Sequence, residues 1–362
     1  MNTTFSFRPL LLALGCVATL TQAADPVTDH AASNVAYVSN QNGNITVIDL
    51  KTFTAGTEID LGKATPRGIG ITADGKTLVV ASRDSGDVLL VDLATRKIAN
   101  RVPVGKNPEF VRVRGNQAFV SFEPAADGGP PPKPGSKEAQ ELKKQREDDK
   151  EEPARIAIVD LKTGKKTAEI IGGMETEGIE FSADGKKIII TNEADENLSV
   201  HDIASGKLLK KIDTKPYGHR PRGIKMAPDG KSYIATIEHG NKFVVLDAEF
   251  NVVKAVPTGD TPYGVAFDRS GSRLFIALAK GKSLQVFDPA TYQPVAEWPT
   301  GDRCWHFTFT PDEKHILAAC GRSNEVVVVD ATSGKIVTRI GDKKLPWGIV
   351  TFPKSFGSLD TP

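Results

Sequence analysis

A short apolar strand that ends in aspartate recurs seven times along the chain, and this repeat limits the fold more than any other feature. The intervals between the aspartates are 43, 68, 42, 45, 41 and 42 residues, so only the second is anomalous. A period of about 40–45 residues is typical of propeller blades. The seven aspartates are Asp49, Asp92, Asp160, Asp202, Asp247, Asp288 and Asp330.

Each period has the same internal order. A Pro-x-Gly-like turn, such as Pro66-Arg67-Gly68, leads into an apolar strand, and an Asp-Gly pair such as Asp74-Gly75 follows it. Asp-Gly favours a tight hairpin because glycine tolerates positive φ. Three more strands complete the period, and four antiparallel strands of this length make one blade. The sequence therefore predicts an all-β, seven-bladed β-propeller.

The two ends of the repeat region complement each other. The first period begins at its second strand, near residues 35–39, and the last ends after its first strand, near 348–352. We expect the C-terminal strand to complete the N-terminal blade, because this closes the ring and leaves no open sheet edge. Residues 34–353 should then form a single domain, which we expect to be a monomer.

Residues 1–23 have the layout of a signal peptide. They carry one charge, Arg8, then an apolar run at 10–18 and a small-x-small-like end at 21–23. This pattern predicts secretion to the periplasm, and the apolar run is too short to span a bilayer. Lipidation at Cys16 is an alternative. Without 1–23 the chain has 45 basic and 45 acidic residues, which argues against nucleic acid or an anionic membrane surface as a partner.

Two segments resemble a known family. Ala36-Tyr37-Val38-Ser39-Asn40 and Ile190-Thr191-Asn192 resemble the signature of the YVTN-repeat family of secreted bacterial seven-bladed propellers. Residues 177–185, with Thr191-Asn192-Glu193 after them, resemble a subgroup found with alcohol oxidation that depends on pyrroloquinoline quinone (PQQ). The resemblance implies a periplasmic protein without an established catalytic role.

The x residue of each Pro-x-Gly turn is expected to line one face of the central channel, which we call the mouth. Two arginines, two glutamates and three aromatic residues there suit a planar ligand that carries carboxylates. Alternatively, the charges neutralise each other in a solvated channel that the aromatic residues plug. In either case we expect the charged side chains to be exposed. The seven residues are Arg67, Glu109, Glu177, Arg222, Tyr263, Trp305 and Trp347.

Two histidines join these candidates for ligand binding. His219 lies in an enlarged loop at the mouth, and His306 replaces the glycine of its turn. Neither belongs to a cluster with metal-ligand spacing, so no metal site is predicted. Cys304 and Cys320 flank a hairpin turn and should face each other across two strands. In an oxidising compartment they are expected to form a disulfide.

An insertion at residues 123–154 explains the long second interval. It joins the second and third strands of the third blade on the mouth face, begins rich in proline and glycine, and continues highly charged. With so few apolar residues, a helix there has no face to bury. We expect a mobile solvated loop; a lid or docking arm over the mouth is the alternative.

The sequence favours a non-catalytic binding or accessory protein of periplasmic redox metabolism, with no catalytic residue. Its partner would be a small anionic ligand or a periplasmic protein, and PQQ and a haem-type group are the candidate cofactors. One alternative is a lactonase-like hydrolase that uses Glu109, Glu177, His219 and Arg222. Another is a propeller that binds a tetrapyrrole without covalent attachment, similar to the haem domain of periplasmic nitrite reductase, with His219 or His306 as axial ligand.

Overall fold

The computed structural model describes residues 34–123 and 152–361, together with Met1, Lys137, Gln140 and Glu141. Apart from Met1, the predicted leader 1–23 lies outside the described residues, and so does most of the predicted insertion 123–154. Within the described ranges, no helix is long and apolar enough to cross a bilayer.

Seven four-stranded antiparallel sheets form a ring, which confirms the predicted seven-bladed propeller. The first blade, from the channel outward, consists of β28 (Pro346–Phe352), β1 (Val35–Asn40), β2 (Ile45–Asp49) and β3 (Thr54–Ala55). The second consists of β4 (Pro66–Ile71), β5 (Thr77–Ser82), β6 (Asp87–Asp92) and β7 (Lys97–Pro103). The third consists of β8 (Val111–Arg114), β9 (Gln117–Phe122), β10 (Arg155–Asp160) and β11 (Lys165–Ile171).

The remaining four blades follow the same order. The fourth consists of β12 (Thr176–Phe181), β13 (Lys187–Asn192), β14 (Asn197–Asp202) and β15 (Leu208–Asp213). The fifth consists of β16 (Pro221–Met226), β17 (Ser232–Ile237), β18 (Lys242–Asp247) and β19 (Val252–Pro257). The sixth consists of β20 (Pro262–Phe267), β21 (Leu274–Leu278), β22 (Ser283–Phe287) and β23 (Pro294–Pro299). The seventh consists of β24 (Cys304–Phe309), β25 (His315–Cys320), β26 (Glu325–Asp330) and β27 (Ile336–Ile340), and two short 3-10 helices lie at Lys215–Tyr217 and Glu238–Gly240.

The ring closes as the sequence predicts. β28 pairs antiparallel with β1, with Val35 opposite Phe352 and Val38 opposite Ile349. β28 also contacts the inner strands of both neighbouring blades, β4 and β24. The inner strand of the first blade therefore comes from the far end of the chain.

The repeated aspartate has a local structural role at the end of the third strand. The carboxylate of Asp160 accepts hydrogen bonds from the backbone N and Oγ1 of Thr163, at 2.7 and 2.8 Å. Asp92 and Thr95 make the same pair of bonds, and these bonds lower the pKa of both aspartates. Each aspartate thus closes the turn into the outer strand of its blade, which explains why it recurs once per blade.

Close contact between blades explains the glycine of the Pro-x-Gly turn. The backbone N of Gly68 donates to the carbonyl oxygen of Glu109 in the next blade, at 2.7 Å. A Cβ on Gly68 would lie 2.1 Å from that oxygen, and one on Gly178 would lie 2.4 Å from the carbonyl oxygen of Arg222. Any larger residue would push neighbouring inner strands apart at these positions.

The chain does not stop packing at position 353, where the sequence analysis ended the domain. After β28 it turns back and runs beside β24. The backbone N of Phe309 donates to the carbonyl oxygen of Phe356, and that of Ser358 donates to the carbonyl oxygen of Phe307, both at 2.9 Å. Ser358, Leu359 and Asp360 are buried. We call residues 354–361 the C-terminal segment.

Candidate functional site

The seven predicted mouth residues occupy equivalent places at the beginnings of the inner strands. Six are the second residue of their strand, and Glu109 lies just before β8. The N-terminal ends of the inner strands therefore bring these side chains to one face of the ring. The Asp-Gly hairpins lie at the other end of the same strands, which we call the hairpin face.

Arg222 is the more enclosed of the two predicted mouth arginines. Its guanidinium forms ion pairs with Glu177 and Glu193, and its Nε donates to Glu238 Oε2 at 2.6 Å. Its side chain is only 5% exposed. The expectation of solvent-exposed charges is therefore wrong for Arg222, around which three carboxyl groups replace water. It is also wrong for Glu109 and Glu177, whose side chains are 7% and 11% exposed.

Sequence reasoning missed Glu193 and Glu238. Each directly follows the second strand of its blade, β13 or β17, and Glu123 follows β9 in the same way. Their shared position, directly after a second strand on the mouth face, is the sequence signal that could have identified these glutamates. Two further arginines lie there: Arg220 pairs with Glu193 and Glu238, and Arg303 Nη2 lies 3.5 Å from Glu238 Oε1.

We call this group of charged residues the mouth cluster. The side chains that form its described ion pairs are each at most 18% exposed. Its members are Arg67, Glu109, Glu123, Glu177, Glu193, Arg220, Arg222, Glu238 and Arg303.

Arg67 is less completely satisfied than Arg222. It forms an ion pair with Glu109, its side chain is 18% exposed, and its guanidinium carbon lies 5.4 Å from the centroid of the Trp347 ring. Within the described residues, its Nε has no hydrogen-bond partner. Arg67 is thus a partly accessible cation beside an aromatic ring.

Burial divides the carboxyl groups of the cluster into two sets. It raises the pKa of Glu109 to about 8 and that of Glu123 to about 7, and it raises the pKa of Glu193 well above the ordinary value. Burial also opposes ionisation of Glu177 and Glu238, but the neighbouring arginines outweigh it and hold both pKa values low, that of Glu238 at about 2. Burial thus favours the neutral form of Glu109, Glu123 and Glu193, whereas the arginines favour the ionised form of Glu177 and Glu238.

The aromatic mouth residues form the floor and wall beside this charge. Tyr263 donates its hydroxyl to Glu177 Oε2 at 3.2 Å, and its ring lies 4.9 Å from the guanidinium carbon of Arg222. Trp305 lies 5.8 Å from the guanidinium carbon of Arg303. Each aromatic ring of the mouth therefore has a cation over it, Trp347 included.

His306 lies beneath the aromatic residues. Its ring centroid is 4.3 Å from that of Trp347, 5.6 Å from Tyr263 and 5.9 Å from Phe110. Its Nδ1 is 3.0 Å from Ser358 Oγ of the C-terminal segment. Burial lowers the pKa of His306 to about 3, so the ring is neutral.

His219, the other candidate histidine, does not join the cluster. Its side chain is 64% exposed and pairs through Nδ1 with Glu196. Among the described residues, no group of three or more His, Cys, Asp or Glu side chains is placed to hold a metal ion. Cys304 and Cys320 are opposite each other on β24 and β25, and the structure joins them in a disulfide beside Trp305.

A second layer of charge lies deeper in the channel, and the sequence analysis did not find it. Arg112 Nη2 lies 2.8 Å from Glu180 Oε1, and Lys225 Nζ lies 4.0 Å from Glu180 Oε2, with all three side chains buried. Glu180 and Lys225 come three residues after Glu177 and Arg222. Register shifts between Thr176 and Ile179 in β12, and at the same place in β16, turn both positions toward the channel.

Comparison with known proteins supports the fold alone. No protein-family model matches the chain, and no curated protein matches it. A functionally unknown protein from Desulfotomaculum acetoxidans is similar in structure, with 18% identity, a TM-score of 0.71, and coverage of 88% of this chain and 98% of that one. The periplasmic gluconolactonase of Pseudomonas aeruginosa is 14% identical, with a TM-score of 0.68 and coverage of 91% and 100%. The dihydro-haem d1 dehydrogenase NirN, solved with DHE, is 16% identical, with a TM-score of 0.63 and coverage of 91% and 78%.

Proposed function

We propose that this chain is a non-catalytic accessory propeller of the periplasm, which supports quinone-dependent redox metabolism by binding a small anionic ligand or a partner protein at its mouth. The resemblance of its repeats to the YVTN family and to the PQQ-associated subgroup supports the compartment and the metabolic setting. The observation that carries binding at the mouth is the incompletely satisfied guanidinium of Arg67.

The partner of Arg67 is one that an anionic ligand can replace. Because burial holds the pKa of Glu109 at about 8, this carboxyl group is mostly protonated at neutral pH. A ligand carboxylate would then gain a full ionic interaction that Glu109 does not provide. Within the described residues the buried Nε of Arg67 has no hydrogen-bond partner, and the partly exposed Trp305 ring supplies an apolar surface at the mouth.

A planar quinone with carboxylate groups, such as PQQ, fits these residues. Arg303 and the partly exposed Trp305 combine a cation with an aromatic face, and Arg67 adds a second cation at the mouth. Arginine forks bind carboxylates, and aromatic faces stack on planar rings. When bound, the quinone would supply redox chemistry of its own, while the protein supplies charge and a stacking surface.

The mouth fits a haem-type group less well. An axial ligand must present a ring nitrogen to the iron, yet the His306 ring is enclosed by Phe110, Tyr263 and Trp347. His219 is exposed at the rim and paired with Glu196. His219 also pairs with Glu196 rather than with Glu109, Glu177 or Arg222, the residues with which it would form a lactonase-like site. We therefore propose neither alternative.

Replacing Arg67 by glutamine should weaken PQQ binding by about 10- to 100-fold, because a charge-assisted hydrogen bond at a partly buried site is lost. The melting temperature should change little, since Glu109 is already mostly a neutral acid at neutral pH and leaves no unpaired buried charge. Isothermal titration of the purified protein with PQQ measures the affinity.

Matched controls are Lys186→Ala and Lys231→Ala, which remove exposed cations from the hairpin face. Equal loss of PQQ binding in these variants would mean that the quinone binds outside the mouth. If the unmodified protein does not bind PQQ, the quinone is not its ligand.

Binding should also depend on pH through Glu109. Its raised pKa keeps the carboxyl group protonated below about pH 8, so affinity for PQQ should be steady there and fall as the pH rises further. One linked proton limits the fall to about tenfold per pH unit. Titrations between about pH 6 and pH 9.5 measure this profile.

Glu109→Gln tests the assignment of that proton. Glutamine resembles the protonated acid, so this variant should bind PQQ at least as tightly and lose the decline above pH 8. Glu123 and Glu177 lie close enough to affect the pKa of Glu109. An unchanged pH profile in Glu109→Gln would therefore assign the titration to a neighbouring carboxyl group.

A further inference from the structure

The C-terminal segment lies inside the channel rather than on its rim. It forms backbone hydrogen bonds with β24, and Ser355 Oγ donates to the carbonyl oxygen of Thr310 at 3.1 Å. Leu359 belongs to the same buried apolar cluster as Trp347. The segment enters from the hairpin face, where β28 ends, and reaches the layer just below the mouth.

Two buried cations of the ring bind the main chain of this segment. Arg112 Nη1 donates to the carbonyl oxygen of Leu359 at 2.6 Å, and Lys225 Nζ donates to that of Asp360 at 3.0 Å. These cations come from β8 and β16, in the third and fifth blades. Fully buried charged side chains that converge on peptide carbonyls are typical of a site that recognises an extended peptide.

The ring alone gives the two buried cations of this layer too few partners. On the inner strands, Arg112 and Lys225 share Glu180 as their ion-pair partner among the described residues. The second negative group near Lys225 is Asp360 of the C-terminal segment. Its Oδ1 lies 3.0 Å from Lys354 Nζ of the same segment. Burial, and repulsion by Arg112, lower the pKa of Lys225 to about 7. Buried charges are costly without partners, and the docked segment supplies partners for both cations as the carbonyl oxygens of Leu359 and Asp360.

The docked segment also touches the floor of the mouth. Ser358 Oγ lies 3.0 Å from His306 Nδ1 and accepts a hydrogen bond from the backbone N of Phe307 at 3.1 Å. His306 in turn packs against Tyr263 and Trp347. The orientation of the rings below the mouth cluster therefore depends on the segment.

We propose that the part of the channel nearer the hairpin face is a peptide-binding site, which the C-terminal segment occupies in cis, and that the docked segment supports the floor of the mouth from below. The peptide class it takes is an extended chain in which serine precedes an aliphatic residue and an aspartate. The mouth is then a cavity that the segment closes on the channel side, rather than one end of an open channel.

A chain that ends at Pro353, mixed with a synthetic peptide of residues 354–362, tests this proposal. Saturable binding of the peptide, with recovery of the full-length melting temperature, is the expected result. A peptide of the same composition in scrambled order, and one with Leu359→Ala and Asp360→Ala, should bind about tenfold or more weakly. Equal binding of all three peptides by the folded chain would overturn the proposal.

A second measurement uses the full-length chain, so it does not depend on the shortened chain folding. In the variant Leu359→Ala/Asp360→Ala, the backbone amides of 356–361 should exchange hydrogen about tenfold faster, while those of the middle strands keep their protection. Loss of protection in the segment and the blades together would mean that the segment is an inseparable part of the ring, and would overturn the proposal. Neither readout uses a mouth ligand, so failure of PQQ binding would not affect this test.

Discussion

A chain that ends at Leu345 should fail to form the native ring. It lacks β28, so β1 loses its inner neighbour and exposes its backbone donors and acceptors to the channel. It also loses the contacts of β28 with β4 and β24, which hold the first blade between its neighbours. A buried sheet edge with unpaired groups is costly and prone to association. We therefore expect this chain to aggregate at ordinary concentrations and to show no cooperative thermal transition.

Circular dichroism melting and size-exclusion chromatography measure this outcome. Two shorter truncations serve as controls: removal of Pro362 alone should leave the melting temperature unchanged, and the chain that ends at Pro353 keeps β28. A chain ending at Leu345 that melts like the full-length protein would contradict closure by the C-terminal strand.

The fold could be predicted because its signals are local and repeated. Each strand-ending aspartate closes a turn by accepting bonds from residues two to four positions later, as Asp92 does from Thr95. The glycine of most Pro-x-Gly-like turns is required by a carbonyl of the next blade, as Gly68 is by Glu109. These constraints recur from blade to blade, so they leave a regular period in the sequence.

The site could be predicted only in part. The x positions follow from the repeat, but simple alternation along a strand does not place Lys225 on the same side as Arg222. The register shift in β16 does so. It recurs across the x-Gly pair of β4, β12 and β20, so the repeat marks its position, although alternation alone does not predict its effect. The partners from other loops, Glu193 and Glu238, come from elements whose distance from Arg222 depends on the closed ring.

The C-terminal segment could not be predicted from periodicity. Residues 354–361 follow the last repeat and contain neither the aspartate-ended strand nor the Pro-x-Gly turn. Their place in the channel is set by side chains from distant blades, Arg112 and Lys225. Such long-range polar recognition leaves no pattern in the segment itself.

The burial of Arg222 changes what its removal should do. An exposed channel charge would contribute less than about 1 kcal/mol to stability. Arg222 is instead enclosed by Glu177, Glu193 and Glu238, and its guanidinium also lies over the Tyr263 ring. Its loss leaves three carboxyl groups close together in a buried site, with Arg220 as a remaining partner of two of them.

Arg222→Ala should therefore lower the free energy of unfolding by about 3–5 kcal/mol, the usual cost of removing one partner from a buried ion-pair network. Urea denaturation at neutral pH measures the change. Arg269→Ala is the matched control, because Arg269 is half exposed and its ion-pair partner Glu313 lies 3.5 Å away on the hairpin face. This variant should lower the free energy of unfolding by less than about 1 kcal/mol.

Part of the stability lost in Arg222→Ala should return at lower pH, since protonation relieves the repulsion among the three carboxyl groups. Equal unfolding free energies for Arg222→Ala and the control would mean that water reaches the cluster and that its ion pairs are no stronger than those on the surface.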